Sequence, residues 1–199
     1  MSIFFLPGAG GSAAFWRPVA AKLTTVEPKY FFSWPGLGNE PSNPLVQSID
    51  DLVGMVIEQI TQPSSLVAQS MGGYVALRVA LERPDLVRRH VLTVASAGLA
   101  MNELGAINWR NNYAKNFPAA ANWISEPTED LSAKLSKITV PCLLIWGSAD
   151  LISPVAVGEK LRTILPNAYL HVFDNADHDL AISHAGDVAK LIDKHLAEV

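Results

Sequence analysis

Short runs of apolar residues without polar alternation recur along the chain, separated by longer stretches whose apolar positions repeat every three or four residues. IFFL (3–6), YFFSW (30–34), SLVA (65–68), HVLTVA (90–95), CLLIWG (142–147) and AYLHVF (168–173) read as strands. Helices are expected over 13–23, 49–61 with Ser48 or Asp50 as cap, 71–83 stopped by Pro84, 155–164 and 184–197. Unbroken apolar strands of this length are buried on both faces, as in a parallel sheet covered by helices. The repeated strand-then-helix order predicts an α/β, doubly wound, mostly parallel sheet of about six strands with helices on both faces.

The alternation lapses between about 97 and 138, where Trp109, Tyr113, Phe117 and Trp123 are interleaved with Asn108, Asn111, Asn112 and Asn116. A helix over about 102–117 places Trp109, Tyr113 and Phe117 on one stripe, and Pro118 ends it. Either this helix packs on the core, or it forms a short helical lid whose aromatic underside walls a pocket. With 199 residues the chain fits a single domain, 1–199, carrying that insertion.

Composition narrows the function classes. Only 17% of residues are charged and the net charge of −4 is spread without blocks, so no electrostatic case exists for nucleic acid or an anionic membrane surface. A lone cysteine, Cys142 in VPCLLIW, excludes an intrachain disulfide and a cysteine-based zinc site. The opening MSIFFLPGAGG lacks the basic start of a secretion signal, and no stretch is apolar for long enough to cross a bilayer. A cytoplasmic protein with no membrane partner is the expectation.

Chemistry enters at VAQSMGGYVAL, 67–77. Serine is a favoured helix N-cap, yet a cap explains neither Ala68 nor Gly72 and Gly73. A strand that turns abruptly into a helix with a side chain thrust outward needs small neighbours, because the backbones come too close for larger ones. In doubly wound sheets functional residues collect beyond the carboxyl ends of the strands. PGAGG after the first strand, Ser70 after the third, Asp150 in WGSADLISP and His178 in FDNADHDLAISH all fall on that rim. Among the other histidines, His171 lies in a strand, His184 begins the last helix, and His90 and His195 sit at a strand start and a helix end. A serine hydroxyl needs a base during attack, and the base needs a carboxylate to fix its tautomer. Acyl transfer also needs N–H donors for the oxyanion. Met71 offers one, and PGAGG the other, at Ala9 or else Gly10.

Together these motifs resemble the α/β-hydrolase fold enzymes. AQSMGG is similar to their nucleophile elbow, PGAGG to their oxyanion loop, and the order Ser…Asp…His is theirs. SWPGLGNEP and ERPDLVRRHVL resemble two further stretches of that family. The resemblance implies Ser70 as nucleophile, His178 as general base and acid, Asp150 as its partner, and Ala9 and Met71 as oxyanion donors. It implies no cofactor and no metal. Ala68 replaces the first elbow glycine, Asp177 a glycine before the histidine, and Pro7 a histidine that many members carry before the oxyanion glycine. By the resemblance the chain starts at what is normally the family's third strand, so the strand at 3–6 is expected to be an exposed edge unless another chain covers it.

A serine nucleophile points to cleavage of a carboxylic ester through an acyl-enzyme. The resemblance implies as substrate a small-molecule ester or one linked to an acyl carrier protein, and the aromatic residues near the rim lead us to expect an apolar acyl part. Gly8, Gly10, Trp16, Trp34, Trp109 and Tyr113 are expected to line the site, and Arg110 and Lys115 are candidate contacts for an acidic carrier. Two rivals remain at this stage: a lyase that uses the same triad for proton abstraction, and a non-catalytic binding protein.

Overall fold

The computed structural model describes residues 1–198. Six strands, β1 (Ile3–Leu6), β2 (Lys29–Phe31), β3 (Ser64–Gln69), β4 (Val87–Thr93), β5 (Cys142–Gly147) and β6 (Ala168–Phe173), form one sheet in the order β2-β1-β3-β4-β5-β6. Every neighbouring pair is parallel. The helices are α1 (Arg17–Ala20), α2 (Ile49–Gln59), α3 (Met71–Glu82), α4 (Arg110–Asn116), α5 (Val155–Ile164), α6 (Leu180–Ser183) and α7 (Ala185–Ala197). Helices α1, α6 and α7 pack together, α2 packs on α3, and α5 lies on β5 and β6. Strands β1, β3 and β5 are buried along their whole length, as their unbroken apolar runs require.

The expected edge strand is not an edge. β1 is paired on both sides, Ile3 to Lys29 of β2 and to Ser65 of β3. β2 takes the outer position and covers it, with Phe4 stacked on Tyr30 and Phe5 on Phe31, both at 4.9 Å between ring centres. Only three residues long, β2 offers little edge for another chain to pair with. At the other edge, β6 turns polar and half-exposed positions outward, including Tyr169 at 64% exposure.

Several elements are shorter than their periodicity predicts. The helix expected over 13–23 is a 3₁₀ turn at Ala13–Trp16 followed by α1. The chain leaves it because Asp193 of α7 accepts from both N–H groups of Thr24 and Thr25 and from the Thr24 hydroxyl. The helix expected over 102–117 is broken. A 3₁₀ turn at Met101–Leu104 ends on Gly105 in the left-handed region, and α4 starts afresh where Asn108 Oδ1 accepts from the Arg110 N–H. The last helix runs as expected, as α7, and the one-turn α6 precedes it on the other side of His184.

Candidate active site

Ser70 stands between β3 and α3 with φ 52° and ψ −118°, a conformation that a residue with a side chain adopts only under constraint. The constraint is visible on both sides. The Ser70 N–H donates to Thr93 O of the neighbouring strand and its carbonyl accepts from the Gly73 N–H, each at 2.9 Å. A Cβ on Gly72 would lie 2.4 Å from Pro7 O, and one on Gly73 would lie 2.3 Å from the Ala95 Cβ. The two glycines are therefore the residues that let α3 lie this close to the first loop and to the end of β4. The capping role of the serine is absent: its side chain makes no cap hydrogen bond.

Asp150 and His178 are brought together by the ends of β5 and β6. The loop after β6 folds back over Gly147, where a Cβ would lie 2.2 Å from Ala176 O. The Ala149 N–H donates to Ala176 O at 2.9 Å, and the Asn175 N–H to Ser148 Oγ at 2.8 Å. This pins the loop that carries the histidine. Asp150 is 3% exposed, and its Oδ1 accepts from the N–H groups of Ile152 (2.8 Å) and Ser153 (3.0 Å). Its Oδ2 faces His178 Nδ1 at 2.7 Å. A carboxylate can only accept, so the imidazole proton sits on Nδ1 and Nε2 is left with its lone pair.

The loop at 7–11 closes the third side. Trp34 Nε1 donates to Pro7 O at 2.7 Å, the Gly11 N–H to Gly8 O at 3.0 Å, and the Trp34 N–H to Gly11 O at 2.8 Å. Among the described residues no acceptor takes the N–H groups of Ala9, Gly10 or Met71. Two chambers meet at Ser70. The smaller, about 430 Å³, is lined by the loop 7–12, Ser70, His178, Tyr113 and Phe117. The larger, about 770 Å³, runs along α3 and the segment after β4, with Met71, Tyr74, Leu99, Ile124 and Arg110 on its wall. Trp109, Ile107 and Ile152 border both. Ser70 and His178 form no hydrogen bond with each other here; such bonds commonly tighten only in the substrate complex.

Of the expected lining residues, Gly8, Gly10, Trp109 and Tyr113 border the smaller chamber. Trp16 and Trp34 do not. Both are fully buried, Trp16 against Phe5 and Phe15 with its Nε1 on Leu6 O, and Trp34 against Phe32 behind the loop it supports. An aromatic ring near a rim motif in sequence says nothing about which side of the loop it lies on. Ile107, Ile152, Asn112 and Asn116 line the site without having been anticipated, because nothing in their spacing separates them from ordinary loop and helix-face residues. The other histidines stay away from this rim. His90 is fully buried, and burial, with His195 adding to it, pushes its pKa down to about 3. Burial likewise pushes the Cys142 thiol up to about 12, as expected of an inert core cysteine. No group of three or more His, Cys, Asp or Glu side chains among the described residues is arranged to hold a metal ion. None of the described helices is long and apolar enough to cross a membrane.

Comparison with known proteins gives this geometry its context. The model of the alpha/beta hydrolase family matches residues 3–134, from β1 through the elbow and past α4. The chain belongs to the alpha/beta hydrolase family. The match stops short of Asp150 and His178, so the pairing of those two rests on the geometry above. Among similar proteins, a pimeloyl-[acyl-carrier protein] methyl ester esterase of Neisseria meningitidis is 28% identical over 95% of this chain and 91% of its own length. A 2-hydroxy-6-oxononadienedioate/2-hydroxy-6-oxononatrienedioate hydrolase of Paraburkholderia phymatum is 26% identical over 90% of this chain and 80% of its own. The fold is also that of a hydrolase from Pseudomonas aeruginosa, with a TM-score of 0.81 over 98% of this chain and 89% of that one at 18% identity. The alignment with the Neisseria esterase runs over 234 positions against 199 residues here, so that alpha/beta hydrolase carries segments that this one lacks.

Proposed function

We propose that the protein is a serine esterase that cleaves a carboxylic ester through an acyl-enzyme on Ser70. The observation that carries this reading is the pairing of His178 Nδ1 with the buried Asp150 carboxylate at 2.7 Å, beside a strained serine facing the same chamber. In this reading His178 Nε2 takes the hydroxyl proton as Ser70 Oγ attacks the ester carbon. The N–H groups of Met71 and Ala9 receive the oxyanion. His178 then gives its proton to the departing alcohol, and in the second half-reaction it activates the water that releases the acid. Asp150 orients the ring and stabilises the imidazolium.

In this reading each chamber takes one half of the substrate. The alkoxide must leave next to His178, which borders the smaller chamber and not the larger, so the alcohol portion takes the space of about 430 Å³. The acyl chain then runs into the larger space, past Val94, Leu99, Met101 and Ile124. Residues 97–138 act as a short lid inserted into a single domain, with α4 over the loop 7–12. An ester carried on an acyl carrier protein is the substrate class we favour. The relatives of that name support it, and Arg110 and Lys115 of α4 offer positive charge to an acidic carrier.

The test is hydrolysis of p-nitrophenyl esters from acetate to decanoate by the wild type and by Ser70→Ala, with thermal melts of both. A chain-length optimum in the wild type and a folded, silent variant support the esterase. Two folded proteins that hydrolyse none of the series would turn the search to elimination chemistry or to ligand binding.

A further inference from the structure

Pro7 opens the loop that follows β1, and a proline has no N–H to donate. The loop is held through its carbonyls, by donors from inside and outside it. Pro7 O is taken by Trp34 Nε1 and Gly8 O by the Gly11 N–H. The next carbonyl, that of Ala9, accepts from the Tyr113 hydroxyl of α4 at 2.8 Å, across 104 positions of sequence. The phenol oxygen of Tyr113 in turn accepts from the Gly38 N–H at 2.9 Å. One phenol thus joins three segments: the helix over the site, the oxyanion loop, and the glycine-rich turn at 36–38.

These contacts decide where the oxyanion donors point. A peptide unit is planar and trans, so fixing a carbonyl fixes the N–H of the following residue on the opposite side of the plane. Holding Gly8 O sets the Ala9 N–H, and holding Ala9 O sets the Gly10 N–H. The turn behind leaves no slack: a Cβ on Gly38 would lie 2.1 Å from Gly10 O, and one on Gly11 would lie 2.5 Å from Leu37 O. Both glycines have positive φ, 58° and 76°. Tyr113 is half-buried between Trp109 and Phe117, with ring centres at 5.4 and 5.0 Å, so its position follows that of α4.

We propose that Tyr113 is a positioning residue for the oxyanion hole: seating of α4 on the loop 7–11 orients the Gly10 N–H directly and, by fixing the peptide on one side of Ala9, steadies the Ala9 N–H that the Gly8–Gly11 hydrogen bond sets on the other. This rests on the esterase reading given above. Activity then depends on the lid in a specific way: an unseated α4 still leaves Ser70, His178 and Asp150 in place, but without oriented donors. Burial raises the pKa of the Tyr113 hydroxyl above its ordinary value, so the proton it gives to Ala9 O is held through mildly alkaline pH.

The experiment compares the wild type with Tyr113→Phe, which removes one oxygen from a half-buried ring. Complete loss of an oxyanion donor costs about 10²–10³ in rate, and a loosened loop costs less. The expected result is a kcat lower by about 10- to 100-fold with KM within about twofold and an ordinary melt. A trifluoromethyl ketone that forms a hemiketal oxyanion should lose affinity by the same factor as kcat/KM. Amide hydrogen exchange at Gly38 should quicken. Retained kcat, or a lower kcat with unchanged ketone affinity, would overturn the proposal by showing that Tyr113 only fills space. If hydrolysis by the wild type does not depend on Ser70, the esterase reading fails by itself. Exchange then decides the clamp: faster exchange at Gly38 in Tyr113→Phe supports it, and unchanged exchange removes it.

Discussion

Ser70→Gly should make this protein more stable and inactive at once. At φ 52° and ψ −118° the serine occupies a region that costs a non-glycine residue about 1–3 kcal/mol. Glycine enters that region freely, but it adds about 0.4–1 kcal/mol of chain entropy to the unfolded state. No hydrogen bond is lost, since among the described residues the Ser70 side chain makes none. The net gain is about 1–2 kcal/mol, which for a chain of this size raises Tm by about 2–8 °C. Ser70→Ala is the control, because alanine loses the hydroxyl and keeps the strain, and it should melt close to the wild type. Parallel thermal melts by circular dichroism, with ester hydrolysis measured on the same samples, give the comparison. If Ser70→Gly melts at or below Ser70→Ala, the elbow stores no strain, and the account of why small residues surround it is wrong.

Asp150→Asn keeps an oxygen for the Ile152 and Ser153 N–H groups but turns a donor toward His178 Nδ1. The wrong tautomer should lower kcat by about 10³–10⁴ with little change in Tm, measured by steady-state hydrolysis and melting. Gly72→Ala puts a methyl group 2.4 Å from Pro7 O and 2.7 Å from Leu6 O, so α3 and the first loop must part; a loss of about 1–3 kcal/mol in urea unfolding and a drop in kcat are expected together. His90 binds no proton in the fold until about pH 3 but takes one in the unfolded chain below about 6.5, so stability falls as pH drops through that window, by about 1.4 kcal/mol per pH unit from this group. His90→Leu should remove that slope, read as a smaller loss of Tm between pH 7 and 5 than the wild type shows.

Much of this was legible in the residues because parallel strands buried on both faces cannot hide their composition. Five of the six strands lie where the apolar runs put them, the sixth, β2, keeps only the first two residues of YFFSW, and Ser70, Asp150 and His178 each follow a strand. Helix lengths were harder to read. Periodicity runs through 102–117 without a break, whereas the backbone turns left-handed at Gly105 and restarts at Asn108, a choice made by local turn chemistry. Pairing order was also hidden, since nothing in IFFL says that three residues of β2 will cover it. The tryptophans mark the limit most clearly. Trp109 borders the site while Trp34 supports it from behind, although both were expected to line it. Tyr113 was expected as an apolar wall, and its two hydrogen bonds depend on loops that only the folded chain brings near.

The most direct test of the central claim is to trap the acyl-enzyme. The wild type, Ser70→Ala and Asp150→Asn would be treated with a fluorophosphonate ester and digested, and the modified residue located by mass spectrometry. One adduct on Ser70 is predicted in the wild type, formed more slowly in Asp150→Asn and absent in Ser70→Ala. A folded wild type that stays unlabelled, or hydrolysis that survives in Ser70→Ala, would contradict the account.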